Sequence, residues 1–188
     1  MHGSASPQCT RGRAVASTII AGQSAAVDDP DRDRLRARLA QAGYTPGRRD
    51  VAPLVALIDD DELPPTVRRA LARAPAEVVT RAVVAALAGA ADATGASLAT
   101  VLADAASHDP GARAAVIAAL ADPRPRTRRA AVVGLGKLGG DDARAALCAL
   151  WDQAGLDPPL RRAVADALGK VGGDGPMVVM LHGFGAGG

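Results

Sequence analysis

The sequence predicts an all-α fold, a right-handed α-solenoid of about four helical hairpins, and three observations lead to it. One segment repeats: PRTRRAAVVGLGKLGGD, from Pro125 to Asp141, returns as PPLRRAVADALGKVGGD from Pro158 to Asp174, an offset of 33 residues with ten identities and no gap. Self-similarity at a period of about 20–50 residues marks units that bury their apolar faces only against neighbouring copies. Apolar residues also recur at helical spacing between Pro and Gly punctuation along most of the chain. Aromatic residues make up only 2% of the sequence, as Tyr44, Trp151 and Phe184, so the core must come from Ala, Leu and Val, which suit closely packed helices.

Each element follows from local chemistry. Residues 1–30 are rich in Ser, Gly and Ala without sustained periodicity, and are expected to form a disordered leader. A helical repeat domain then spans residues 31–175. Leu35, Leu39 and Ala42, closed by Gly43, predict a first helix from Asp31 to about Ala42. Val51, Leu54, Val55 and Ile58 predict a second, ended by the acidic run at 59–62, which reads as a solvated loop. Pro64 and Pro65 start a third through Val67, Ala70, Leu71 and Ala74, and Pro75 ends it. A fourth carries Val78, Val79, Ala82, Val83, Ala86 and Leu87 on one side. A turn near Gly95 precedes a fifth helix, with Ser97 as its N-cap, that bears Leu98, Val101 and Leu102 and ends near His108.

Three further helices restart at Asp109-Pro110, Asp122-Pro123 and Asp157-Pro158. At or near an N-cap, Asp accepts from orphan backbone N–H groups and suits the positive end of the helix dipole, while Pro fits a first turn that has no use for its missing N–H. Between the last two restarts, Ala143 to Asp152 reads as a shorter helix with Ala146, Leu147, Leu150 and Trp151 turned inward or across to the next unit. In the final copy Leu160, Val164, Ala167, Leu168 and Val171 form one apolar stripe. Gly134, Gly136 and Gly139 read as close-packing and C-cap positions. Residues 176–188 form an irregular, apolar, Gly-rich tail.

Charge and reactive residues narrow the function. The 22 basic and 20 acidic residues leave a formal charge of +2, too little by itself to imply nucleic acid or a membrane. Cys9 and Cys148 make no disulfide framework, which fits a reducing, cytoplasmic setting. His2, His108 and His182 have no His or Glu partner at metal-ligand spacing, so no metal site is expected. The stretch Gly95-Ala96-Ser97-Leu98-Ala99 lacks the last Gly and the preceding strand of a nucleophile elbow. No catalytic residue and no cofactor are expected.

Asp122-Pro123, followed by Arg128-Arg129-Ala130-Ala131 and by Leu135 through Gly139, resembles the short HEAT repeat of the type named after phycobiliprotein lyases. The copy from Asp157 to Gly172 is similar, and the resemblance covers about residues 109–174. It implies stacked hairpins, common in bacterial proteins, whose inner helices face a protein partner. It also implies an Asp–Arg ladder between successive repeats, to which Arg128 or Arg129 and Arg161 or Arg162 would belong. Lyase activity is not implied, because aromatic residues that would sandwich a tetrapyrrole are nearly absent. The iron-binding HEAT hydroxylases need paired His-Glu motifs, and Glu62 and Glu77 are the only glutamates. The last twelve residues, MVVMLHGFGAGG, resemble the strand and His-Gly oxyanion loop near the start of α/β-hydrolases. On that resemblance His182, Gly183, Phe184 and Gly185 are a vestigial oxyanion loop, at a truncated hydrolase junction or in a coincidental tail.

The leading functional expectation is a non-enzymatic scaffold that binds another protein, with Arg144 and Trp151 as contacts, since Arg and Trp dominate interface energies when buried. An inter-repeat core role competes for Trp151. A second expectation is nucleic-acid binding, as in HEAT-like DNA glycosylases, with Arg124, Arg126, Arg128 and Arg129 as a basic patch on phosphate, against a simply solvated charge run. A third is an N-terminal module of a hydrolase. No membrane partner is expected.

Overall fold

The computed structural model describes residues 30–41, 43–58 and 64–172, and among these every regular element is a helix. The leader, the acidic run at 59–62 and the tail with His182, Gly183, Phe184 and Gly185 lie outside the described residues. In order the helices are α1 (Pro30–Leu39), α2 (Val51–Val55), α3 (Pro65–Leu71), α4 (Ala76–Leu87), α5 (Asp92–Ala105), α6 (Pro110–Ala118, continued by a 3₁₀ turn over Ala119–Ala121), α7 (Pro125–Leu138), α8 (Asp141–Trp151) and α9 (Pro158–Val171).

The three longest helices share one geometry. α5, α7 and α9 are each 14 residues long. They begin at Asp92, Pro125 and Pro158, so the 33-residue period visible in two copies extends to a third. α7 packs along α5 on one side and α9 on the other, while α4 lies against α2, α5 and α6, and α8 against α7 and α9. Each helix therefore rests on near neighbours in sequence, as repeat architecture requires. A single apolar cluster links them, from Leu35, Val51 and Leu54 through Val83, Leu98, Leu102 and Val116 to Val132, Leu135, Leu147, Leu160 and Val164. Burial of each such Leu or Val contributes about 1.5–3 kcal/mol, and this cluster stands in for the aromatic core the composition lacks.

Small residues set how closely the long helices approach. A Cβ on Gly136 would lie 2.8 Å from the Ala167 Cβ and 2.9 Å from its Cα, so α7 and α9 touch backbone to backbone there. At Gly134 a Cβ would lie 2.6 Å from the Ala103 Cβ of α5, a contact with the side chain, since the Ala103 Cα is 3.9 Å away. Gly139, at φ +64, supplies the C-cap of α7. The expected turn at Gly95 is not a turn: Gly95 is buried within α5, and Gly is needed there since a Cβ would collide with the Thr127 hydroxyl and crowd the Arg124 guanidinium. Ser97, expected as an N-cap, is likewise inside α5 and only 7% exposed.

Two of the three Asp-Pro restarts cap as expected. Asp109 accepts from the Gly111 N–H at 2.9 Å and Asp157 from the Leu160 N–H at 3.2 Å. Asp122 does not, because α7 starts three residues later at Pro125 and the Asp122 carboxylate turns onto the Arg124 N–H at 2.9 Å. The donors at the start of α7 are satisfied from the neighbouring repeat instead. Asp92, the first residue of α5, accepts from the backbone N–H of Arg126 at 3.0 Å and of Thr127 at 3.1 Å.

Candidate functional site

Side chains tie successive even-numbered helices across a constant separation of 29 residues. Arg48, just ahead of α2, reaches Glu77 in the first turn of α4 at 2.9 Å. Thr80 of α4 donates to Asp109, the N-cap of α6, at 2.5 Å. Arg113 of α6 grips Asp142 in the first turn of α8 at 2.5 Å, and a further N–H of its guanidinium donates to the Gly139 carbonyl at the end of α7. An acid at each helix start also complements the helix dipole. Hydrogen bonds from Arg113, and then from the Ala143 N–H, lower the Asp142 carboxyl from 3.8 to about 2. The Thr80 hydroxyl, followed by the Gly111 N–H, holds Asp109 below the usual carboxylate range.

This ladder corrects the one the resemblance implied. It runs through Arg113 rather than through Arg128 or Arg129 and Arg161 or Arg162, because it joins the even-numbered helices, whereas those arginines sit on α7 and α9. Arg161 lies over the Trp151 ring at 5.3 Å from its centroid.

The basic patch divides in two. Arg124 precedes α7 and turns inward, donating to the Ala90 carbonyl at 2.6 Å and to Asp122 at 2.5 Å. Arg128 is half-buried with its Nε enclosed, and Arg124 first, then Arg128, holds Asp122 below the usual carboxylate range. Only Arg126 and Arg129, one turn apart on α7, face outward. Successive helical residues diverge by about 100°, so four arginines within six positions cannot share one face. The four arginines expected as one basic patch are therefore split between an inward pair, Arg124 and Arg128, and an outward pair, Arg126 and Arg129.

Arg126 and Arg129 join a feature the sequence reading missed, an open groove of about 500 Å³ between α5 and α7. Its lining is small and mostly apolar on both helices, including Ala96, Thr100, Ala103, Ala130 and Gly134. Val133, 39% exposed, stands in it, with Arg129 one turn to one side and Lys137 one turn to the other. Asp104 on the α5 wall is held by Arg68 of α3 in a two-pronged pair at 2.6 and 2.8 Å. The sequence signal was available: Arg126, Arg129, Val133 and Lys137 recur at helical spacing on the face opposite the buried stripe.

Arg144 and Trp151 both lie on α8 but in different settings. The Arg144 side chain is 47% exposed and pairs with Asp141 one turn earlier. Trp151 is half-buried against the core and covered by Arg161. His108 is exposed at the end of α5, beside Asp109. Among the described residues no three metal-ligating side chains converge, and no helix is long and apolar enough to cross a membrane.

Residues 114–180 match the family model described as HEAT repeats, a span that takes in α7, α8 and α9. No curated protein and no solved structure matches the chain.

Proposed function

We propose that this chain is a non-enzymatic protein-interaction scaffold and that the groove between α5 and α7 is its principal contact face. The observation that carries the reading is Val133, an exposed aliphatic side chain set between Arg129 and Lys137 beside an open, small-residue groove on a HEAT-type stack. HEAT repeats generally mediate protein–protein contacts, and an apolar centre with a polar, charged surround is how such interfaces are built. Arg144 and Trp151 on α8 form a second surface in this reading, Arg144 as the contact and Trp151 chiefly as packing. The finer features rest on the sequence: right-handed stacking of about four hairpins, the phycobiliprotein-lyase subtype of repeat, and a cytoplasmic setting. The hydrolase reading of residues 176–188 rests on their sequence alone. Nucleic-acid binding is disfavoured by the inward turn of Arg124 and Arg128.

A photo-reactive residue at position 133, compared with one at Val84 on α4, which is slightly more exposed, tests the scaffold reading in source cells. The expected result is a discrete protein adduct from position 133 and none from position 84. The same adducts from both positions, or none from either, would overturn it.

A further inference from the structure

We infer that the α5–α7 groove selects an acidic peptide segment with a central aliphatic residue, an inference that rests on the scaffold reading and names its partner's chemistry. The register of the three long helices shows where charge is concentrated. The 33-residue period places Ala96, Arg129 and Arg162 at one level, Thr100, Val133 and Asp166 at the next, and Asp104, Lys137 and Lys170 at the third. On α9, Asp166 sits one turn from both Arg162 and Lys170, where an i,i+4 carboxylate offsets them. On α5 the one acid of the three levels, Asp104, is already occupied by Arg68. On α7 the middle position is Val133, so its flanking cations have no offsetting acid on their own face, and among the described residues Arg129 and Lys137 pair with no carboxylate.

The recognition element is thus a cation, an aliphatic side chain and a second cation, spaced by about 6 Å each along the helix axis. Its complement is an aliphatic side chain laid on Val133, Ala130 and Ala103, with a carboxylate to either side. Between its charged rim residues the groove is lined by small side chains, Ala96, Thr100, Ala103 and Ala130, which leave room for a branched side chain. A continuous phosphate backbone fits less well, because an exposed aliphatic side chain, Val133, stands between the two cations. Discrete carboxylates on a peptide avoid that position.

The test uses the full chain and a fluorescent peptide with a central Leu and Glu one helical turn to either side, read by anisotropy at low and high salt. Its Gln counterpart and a short DNA duplex serve as comparison probes. The acidic peptide should bind, weaken with salt, and lose about tenfold in affinity with Arg129→Gln/Lys137→Gln. The reversed variant Arg129→Glu/Lys137→Glu, unchanged in helicity, should instead take a Lys-flanked peptide. Equal binding of the Gln peptide, binding of the duplex at least as tightly as the acidic peptide, or no effect of either double variant would overturn the inference. A partner that still crosslinks at position 133 when Arg129 and Lys137 are both Gln would defeat the acidic-peptide inference alone and leave the scaffold reading standing.

Discussion

Arg113 and Asp142 lie 29 residues apart in sequence and meet through two N–H donors of one guanidinium at 2.5 Å, joining the middle of α6 to the first turn of α8. The same guanidinium donates to the Gly139 carbonyl, so a single side chain holds the end of α7, the start of α8 and the previous repeat in register. With Arg48–Glu77 and Thr80–Asp109 at the same separation, it forms a row of polar links beside an otherwise apolar stack. Apolar packing is non-directional, so these links, together with the Asp92 cap on α7 and the Gly136–Ala167 contact, favour the observed register over a slipped one.

The ladder makes an acid limb in the stability profile. Asp142 titrates at about 2 in the fold against an ordinary 3.8, a depressed value, so its contribution is complete above about pH 4 and is lost as pH falls through about 2. The melting temperature of the wild-type chain should hold steady near neutrality and fall below about pH 4. Asp142→Asn should melt lower than wild type at pH 7, with the two curves converging towards about pH 2. Asp50, Asp109 and Asp122 are also depressed and share the acid limb. The difference between the two curves therefore isolates Asp142, and parallel curves would show that the pair carries no linkage.

Cross-repeat capping is measurable at Asp92. Its carboxylate accepts from two N–H groups at the start of α7, where the local N-cap residue, Arg124, makes no side-chain cap. Asp92→Ala should cost about 1 kcal/mol, the usual value of an N-cap, in urea unfolding. Asp141→Ala, whose side chain is 91% exposed, should stay within about 0.5 kcal/mol of wild type. Hydrogen exchange should localise the Asp92→Ala effect to the amides of Arg126 and Thr127 on α7, although the substitution is made on α5.

Much of this architecture could be read from residues, and the exceptions share a cause. α7 and α9 were legible because Arg-Arg-Ala, Leu-Gly-Lys and Gly-Gly-Asp survive in both copies. α5 occupies the same register, yet Gly95-Ala96 stands where the Arg pairs stand, and Gly95 reads as a turn unless the Thr127 side chain pressing on it is known. Asp122 reads as a cap for the same reason that Asp109 and Asp157 do; that Asp92 takes its place depends on a helix 34 residues away. The groove residues had the right spacing, but only tertiary packing separates Arg129, which faces out, from Arg124 and Arg128, which turn inward. Local chemistry was thus legible, and partners supplied by the next repeat were not.

Trp151 and Arg144 separate packing from contact on α8. Trp151 is half-buried against the core and lies under Arg161, so Trp151→Ala should destabilise by about 1–3 kcal/mol, short of the fully buried value. Arg144→Ala, on an exposed side chain paired only within its own helix, should change stability by less than about 0.5 kcal/mol. Thermal melts of the two variants check this, and a neutral Trp151→Ala would return Trp151 to the list of surface contacts.

Gly136 and Gly169 hold the same position in successive repeats and should respond to alanine with opposite signs. A Cβ at Gly136 meets Ala167 of α9 at 2.8 Å, with the Ala167 Cα, a backbone atom, at 2.9 Å. Neither atom can move without shifting α9 off α7, so Gly136→Ala should destabilise by about 1–3 kcal/mol through overpacking. Among the described residues nothing lies within 4 Å of the same Cβ at Gly169, and the residue is inside α9 with no positive φ. There alanine only removes backbone freedom from the unfolded chain and improves helix propensity, so Gly169→Ala should stabilise by about 0.4–1 kcal/mol. Urea midpoints of the two single variants decide it. If Gly136→Ala were also stabilising, the approach of α7 to α9 would have to be looser than backbone contact; if Gly169→Ala were destabilising, its surroundings on α9 would have to be occupied by chain that packs there.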